Sequence, residues 1–422
     1  PKDPATGQYI VTLQYPHIGP FMSFAQNRKK REELANKNLK KGGKKNLKLI
    51  NDLVNIRTEI SSILGNAHQR DFRTENRMAK TTEKVDVFQN NLLKKLIVPA
   101  EKDVQSLLRH ARTLGIEKLE HYDIAYVAND LKKKLYDIDQ EIVREYFPLE
   151  HVMSEMFSVF GKLLRVSFTR LDITTWHKDV VVYEVKDTNK SLIGYLFFDL
   201  FPRDGKYGHA MCVDTVIARE ASWKSDDYIA PVTGIVCNFP MPTKKQPSLL
   251  SLGEVETLFH EFGHSLHMTL SLARHESQGG SNVAWDFVET PSQIMENWVW
   301  NDDMLKKLSK HVQTGKSLSK EMRDKILAGK KFQNAYHFMR QIIMGKLDMD
   351  LHTGKIKDAT AAYRSVTKMY TGIELPEKET LFPAGFGHLV GYDAGYYSYL
   401  WALVYAQDAF SEFEKKGIFN KE

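Results

Sequence analysis

His260-Glu261-Phe262-Gly263-His264 places two imidazoles and a carboxylate within five residues. On a helix, two imidazoles four residues apart lie on one face and can reach a single Zn²⁺, while the Glu261 carboxylate can act as general base beside it. The flanking residues supply that helix. Ser251-Leu252-Gly253-Glu254 has the form of a capping box, which starts a helix just upstream. Val255, Leu258, Phe259, Phe262 and Leu266 then recur at the spacing of a buried helical stripe. His260 and His264 fall on another line, so one face would anchor the helix and another would present ligands. Gly263 lets other backbone or a substrate come close, at about 1 kcal/mol of helix propensity.

A zinc centre with three protein ligands needs one more His, Asp or Glu. Asp286-Phe287-Val288-Glu289-Thr290-Pro291-Ser292-Gln293 offers Glu289, and the glycines of Gln278–Asn282 permit the chain reversal that would bring it back. By chemistry alone Asp286, Glu296 and His267 compete with it. Asp286 and Glu296 are also candidates to hydrogen-bond the ligating histidines.

These segments resemble the thimet oligopeptidase, neurolysin, oligopeptidase A and Dcp family of zinc metallopeptidases. The resemblance rests on Phe259-His260-Glu261-Phe262-Gly263-His264-Ser265-Leu266-His267 followed by the Asp286–Gln293 segment. Gly194–Arg203, Val236–Phe239, Phe386-Gly387-His388-Leu389 through Tyr399 and, more loosely, Thr74–Ala79 also have family counterparts. It implies one Zn²⁺ per chain held by His260, His264 and Glu289, with Glu261 as the general base. Read as sequence, the tyrosines of residues 392–399 with Leu400 and Leu403 suggest an aromatic core stripe. The resemblance instead assigns His388, Tyr392 and Tyr399 to binding the substrate carbonyl and stabilising the transition state. Four glycines within residues 385–395 suggest a loop that closes over substrate. Only Gly391 precedes Tyr392 here, where many family members have two glycines.

The chain around these groups divides by texture into strands and helices. Leu164–Phe168, Val180–Val185, Tyr195–Phe201, Met211–Val216 and Thr233–Phe239 are β-branched or aromatic runs between turn residues. They predict a small sheet beside the 252–272 helix. Thr233–Phe239 is the candidate edge strand for pairing with an extended peptide. Leu47–Leu64, Phe72–Val98, Ala100–Leu114, Tyr122–Tyr146 and much of 304–375 show helical spacing, with Pro99 and Pro148 as punctuation. The fold expected is therefore mostly α. With the resemblance it becomes a two-lobed helical zincin with a deep substrate channel. Residues 1–157 would be a helical lobe walling that channel, 158–422 the catalytic lobe, and 384–395 the closing loop.

The chain has 422 residues, 42% hydrophobic and 27% charged, without an apolar run long enough to span a membrane. Its net charge of +6 is local: residues 28–48 hold ten Lys/Arg and two Glu, leaving 49 basic against 51 acidic residues elsewhere. That run lacks interleaved aromatics and reads as a solvated helix face and turn rather than a nucleic-acid patch. Cys212 and Cys237 are too few for a disulfide framework and suit a reducing compartment. The partners expected are short peptides, with neither nucleic acid nor membrane. The location expected is cytoplasmic, with the mitochondrion open because no initiator Met is visible. Family members extend beyond both ends of this sequence, so the corresponding terminal segments of its own full-length chain are further expected partners. The reaction expected is hydrolysis of internal bonds in short unstructured peptides. Release of C-terminal dipeptides, and peptide binding without turnover, are the alternatives.

Overall fold

The structure, a computed structural model, describes residues 2, 3, 5–222 and 225–420. It is mostly helical with one small mixed sheet, as the sequence texture predicts. The sheet strands are β1 (Val166–Leu171), β2 (Val181–Asp187), β3 (Leu192–Asp199), β4 (Met211–Val216) and β7 (Val232–Val236). Between the last two lies a hairpin that the sequence reading missed, β5 (Arg219–Ser222) with β6 (Ser225–Ile229). The strand order is β1-β2-β3-β7-β4, antiparallel except where β3 runs parallel to β7. β7 is thus interior, paired on both sides, and the expected edge role of the Thr233–Phe239 run does not hold. The strand outside it is β4.

Two compact units share the chain. One comprises the residues up to Asp137 together with Lys331–Leu400; the other comprises Ile138–Lys330 together with the segment from Trp401 onward. This differs from contiguous lobes divided at 157/158. The physical reason is long-range packing: helix Asn334–Leu351 lies along helix Thr82–Thr113 and returns residues 331–400 to the first unit. Pro99 does not end a helix but sits inside Thr82–Thr113. Proline removes one intrahelical bond, yet Ala100, Val104, Leu107 and Ala111 carry the buried stripe past it. The basic 28–48 run is also only partly a solvated face. Arg31 is buried and pairs with fully buried Asp123 at 2.9 Å, and Arg28 joins the same carboxylate at 2.7 Å.

In the second unit the core is aromatic. Phe157 packs on Phe168, Tyr183, Phe198 and Phe262, while Phe160 meets Phe259, Phe262 and Trp298. These rings lock helix Leu252–Thr269 onto helix Leu149–Leu164 and the sheet. Val255, Leu258, Phe259, Phe262 and Leu266 are all buried, so the predicted stripe is the anchoring face. No helix among the described residues is long and apolar enough to cross a membrane.

Candidate metal centre

Helix Leu252–Thr269 begins at a complete capping box. Glu254 N–H donates to Ser251 Oγ at 3.3 Å, and Ser251 N–H donates to Glu254 Oε2 at 2.7 Å. With its start fixed and its apolar face buried, the helix turns His260 and His264 to one side. Their rings lie 4.9 Å apart at 84°. Both Nε2 atoms approach Glu289 Oε2, at 3.2 Å from His260 and 3.1 Å from His264.

Glu289 is the residue just before helix Thr290–Val299, where the positive end of the helix dipole favours a carboxylate. Ser292 Oγ lies 2.8 Å from the Glu289 carbonyl O and 3.0 Å from its Oε2, so its one proton can serve either acceptor. Gly263 makes the juxtaposition possible. A Cβ there would lie 2.5 Å from Pro291 O and 2.7 Å from Ser292 Cα. The glycine therefore serves the approach of the second helix's backbone.

His260, His264 and Glu289 form the one group of potential metal ligands among the described residues, their ligand atoms all within 4.8 Å. Of the competitors weighed from sequence, Asp286 and His267 fall outside it. Glu296 Oε1 lies 2.7 Å from His260 Nδ1; accepting from it, Glu296 would leave the Nε2 lone pair for a bound metal. Two imidazole nitrogens and a carboxylate oxygen are a zinc donor set. Their Nε2–Oε2 spacings match the roughly 3.3 Å that tetrahedral bonds of about 2.0–2.1 Å would give. The residues present fit Zn²⁺.

Electrostatics distinguish the two glutamates. Burial alone would raise the Glu289 carboxyl, but the hydrogen bonds and charges of His260 and His264 hold it well below the usual range. Glu261 is buried on the same helix, and its pKa is raised by that burial, against the opposing pull of the two histidines. A buried carboxylate with raised proton affinity is suited to taking up a proton.

His388, Tyr392 and Tyr399 belong to the other unit and form a cluster of their own. His388 Nε2 lies 3.1 Å from Tyr399 Oη, and the Tyr392 and Tyr399 rings stack at 5.3 Å and 14°. Ser398 Oγ is 2.9 Å from Tyr392 Oη. The expected 384–395 loop overlaps two short helical turns, Phe382–Gly385 and His388–Gly391, rather than being a plain glycine loop.

The family model for peptidase family M3 matches residues 21–422. The chain belongs to peptidase family M3. Oligopeptidase A of Escherichia coli (strain K12) is 36% identical over 98% of this chain and 63% of its own length. The thimet-like oligopeptidase of Dictyostelium discoideum is 32% identical over 99% of this chain and 64% of its own. The chain thus spans under two thirds of these relatives. A solved structure described as "BsuCP Crystal Structure" has the same fold at a TM-score of 0.50, with 13% identity, over 92% of this chain and 67% of that one. Within this M3 chain, sequence reasoning passed over Ser292 and the pair Glu256–Trp300, whose indole N–H donates to Glu256 Oε1 at 2.6 Å. Serine three residues after the glutamate was the available signal for the first. Nothing in the spacing marked the second.

Proposed function

We propose that this chain carries the active site of a zinc-dependent oligopeptidase that hydrolyses internal bonds of short, unstructured peptides. The observation that carries the reading is the convergence of His260 Nε2, His264 Nε2 and Glu289 Oε2 on one point, with buried Glu261 on the same helix. Those three atoms would hold Zn²⁺. The ion supplies Lewis acidity, which polarises a carbonyl and acidifies water. Glu261 takes the proton of the attacking water on its carboxylate and delivers it to the departing amide nitrogen. Glu296 keeps His260 in the Nδ1–H tautomer throughout. For His388, Tyr392 and Tyr399 the resemblance assigns stabilisation of the oxyanion, and the hydroxyl and imidazole donors of this cluster have the chemistry for it. β4, as the outer strand, replaces the Thr233–Phe239 run as the candidate for pairing with peptide backbone. Two free cysteines suit a cytoplasmic setting, which imaging of the tagged full-length protein would test.

The test is cleavage of a quenched fluorescent nonapeptide by zinc-loaded protein, with and without chelator. Chelator-sensitive cleavage is expected, and Glu261→Gln should keep its zinc while losing at least about 10²-fold in kcat. Cleavage that survives both chelation and this substitution would overturn the reading. Mapping products from peptides with free and amidated C-termini separates internal cleavage from dipeptide release. Zinc binding without hydrolysis would leave a peptide-binding role.

A further inference from the structure

Asp348 is fully buried in helix Asn334–Leu351 and far in sequence from His388, Tyr392 and Tyr399. Both carboxylate oxygens accept from consecutive backbone amides of their segment: Ala394 N–H to Oδ1 at 2.9 Å, then Gly395 and Tyr396 N–H to Oδ2 at 2.8 and 2.9 Å. His352 packs beside the same residue, its Nδ1 hydrogen-bonded to the Asp348 backbone O at 2.9 Å and 3.0 Å from Oδ1. The tautomer follows from its other neighbour. Arg57 Nη1, which can only donate, lies 3.2 Å from His352 Nε2. Nδ1 therefore carries the proton and donates to the Asp348 backbone O, with its positive edge beside Oδ1.

The turn so held is conformationally demanding. Ala394 has φ +49°, a left-handed conformation that costs a non-glycine residue about 1–2 kcal/mol. A Cβ on Gly395 would meet Tyr392 O at 2.8 Å and the Tyr392 ring at 3.0 Å. Arginines tie down the flanking carbonyls. Arg57 donates to Leu389 O and Val390 O, both at 2.6 Å, and Arg77 donates to Asp393 O at 3.0 Å and to Ala394 O. From the anchored turn the connection to the donor cluster is short. Ser398 Oγ donates to Gly395 O at 2.6 Å and lies 2.9 Å from Tyr392 Oη, and helix Ser398–Lys416 starts there with Tyr399 in its first turn.

We propose that Asp348 is a positioning residue for Tyr392 and Tyr399: it fixes the 394–396 turn and thereby the placement of their hydroxyls. The proposal rests on the oligopeptidase reading for its catalytic consequence. It makes the glycine-containing segment a pre-set platform rather than a loop that closes. Asp348→Asn is the informative change, because an amide must turn an NH₂ towards either the Ala394 amide and His352 or the Gly395 and Tyr396 amides.

The experiment compares wild type, Asp348→Asn, Tyr399→Phe and the double variant on the nonapeptide substrate. Asp348→Asn should lower kcat about 10–100-fold with little change in KM, the scale expected from displacing a donor by an ångström. In the Tyr399→Phe background the same change should cost under about 3-fold, since residues acting as one unit are not additive. Full multiplication of the two losses, or an effect confined to KM, would overturn the proposal. Hydrogen exchange supplies an activity-independent readout. The Ala394, Gly395 and Tyr396 amides should be protected in wild type and selectively released in Asp348→Asn; unchanged protection there would overturn it. His352→Gln, which removes the imidazole beside Oδ1 and its bond to the Asp348 backbone O, should give a smaller loss with the same non-additivity and covers the case in which Asp348→Asn does not fold. Wild-type kcat in Tyr399→Phe would instead count against the tyrosine role in the oligopeptidase reading, while the exchange result still judges the anchor.

Discussion

Glu256 shows how a single residue near the metal centre makes stability depend on pH. It lies one turn before His260, with Trp300 Nε1 donating to it. Burial first, and then repulsion from Glu296, push its carboxyl from 4.5 to about 7. Below pH 4.5 folded and unfolded chains both hold this proton. Between pH 4.5 and about 7 the unfolded chain has released it and the folded chain has not, so folding binds a proton and stability falls as pH rises. The full effect is about 3 kcal/mol at most. Glu256→Gln removes it. In chelated protein, melting temperatures followed from pH 5 to about pH 8 should show the variant gaining on wild type, in the window that linkage dictates. Parallel curves would mean that Glu256 is ionised in the folded protein.

One level up, the candidate metal centre is a contact between two helices, and Gly263 sets its closeness. Elsewhere in a helix, Gly→Ala stabilises by about 1 kcal/mol. Here the added methyl would lie 2.5 Å from Pro291 O, a backbone atom that cannot swing aside. Gly263→Ala should therefore destabilise by about 1–3 kcal/mol. It should also weaken zinc retention, because Glu289 moves with the displaced helix; a variant with undiminished zinc content and melting temperature would refute this. The HExxH helix was readable in advance because its signals are local: a capping box, a 3.6-residue stripe and two histidines off that stripe. Glu289 was not readable from spacing alone, since four acidic or imidazole groups competed and a long loop decides which one returns. The same limit explains the misplaced edge strand. β7 has the composition of an edge or an interior strand alike, and only its pairing with both β3 and β4 decides. Pro99 misled for the opposite reason, because a local rule for ending helices was overridden by packing against Asn334–Leu351.

For the whole molecule, the division into units also lay beyond local signals, because residues 331–400 rejoin the N-terminal residues through contacts far apart in sequence. The consequence for metal binding is specific. His260, His264, Glu289 and Glu296 all come from the unit containing Ile138–Lys330, as do the aromatic rings that brace the HExxH helix. Zinc bound there would stabilise that unit directly, since the unfolded chain separates the three ligands. At free zinc about 100-fold above its dissociation constant, the gain is about 2.7 kcal/mol. For a unit of this size that corresponds to a rise in melting temperature of about 5–10 °C. Chelator should reverse the rise, and Glu289→Ala should blunt it, each rise being read against that protein's own zinc-free melting temperature because the variant also loses its ion pairs with His260 and His264. The contrast between the two proteins is what carries the test. A rise of equal size in Glu289→Ala would place the stabilising ion elsewhere, and no rise in wild type would show that the three side chains, though convergent, do not hold it.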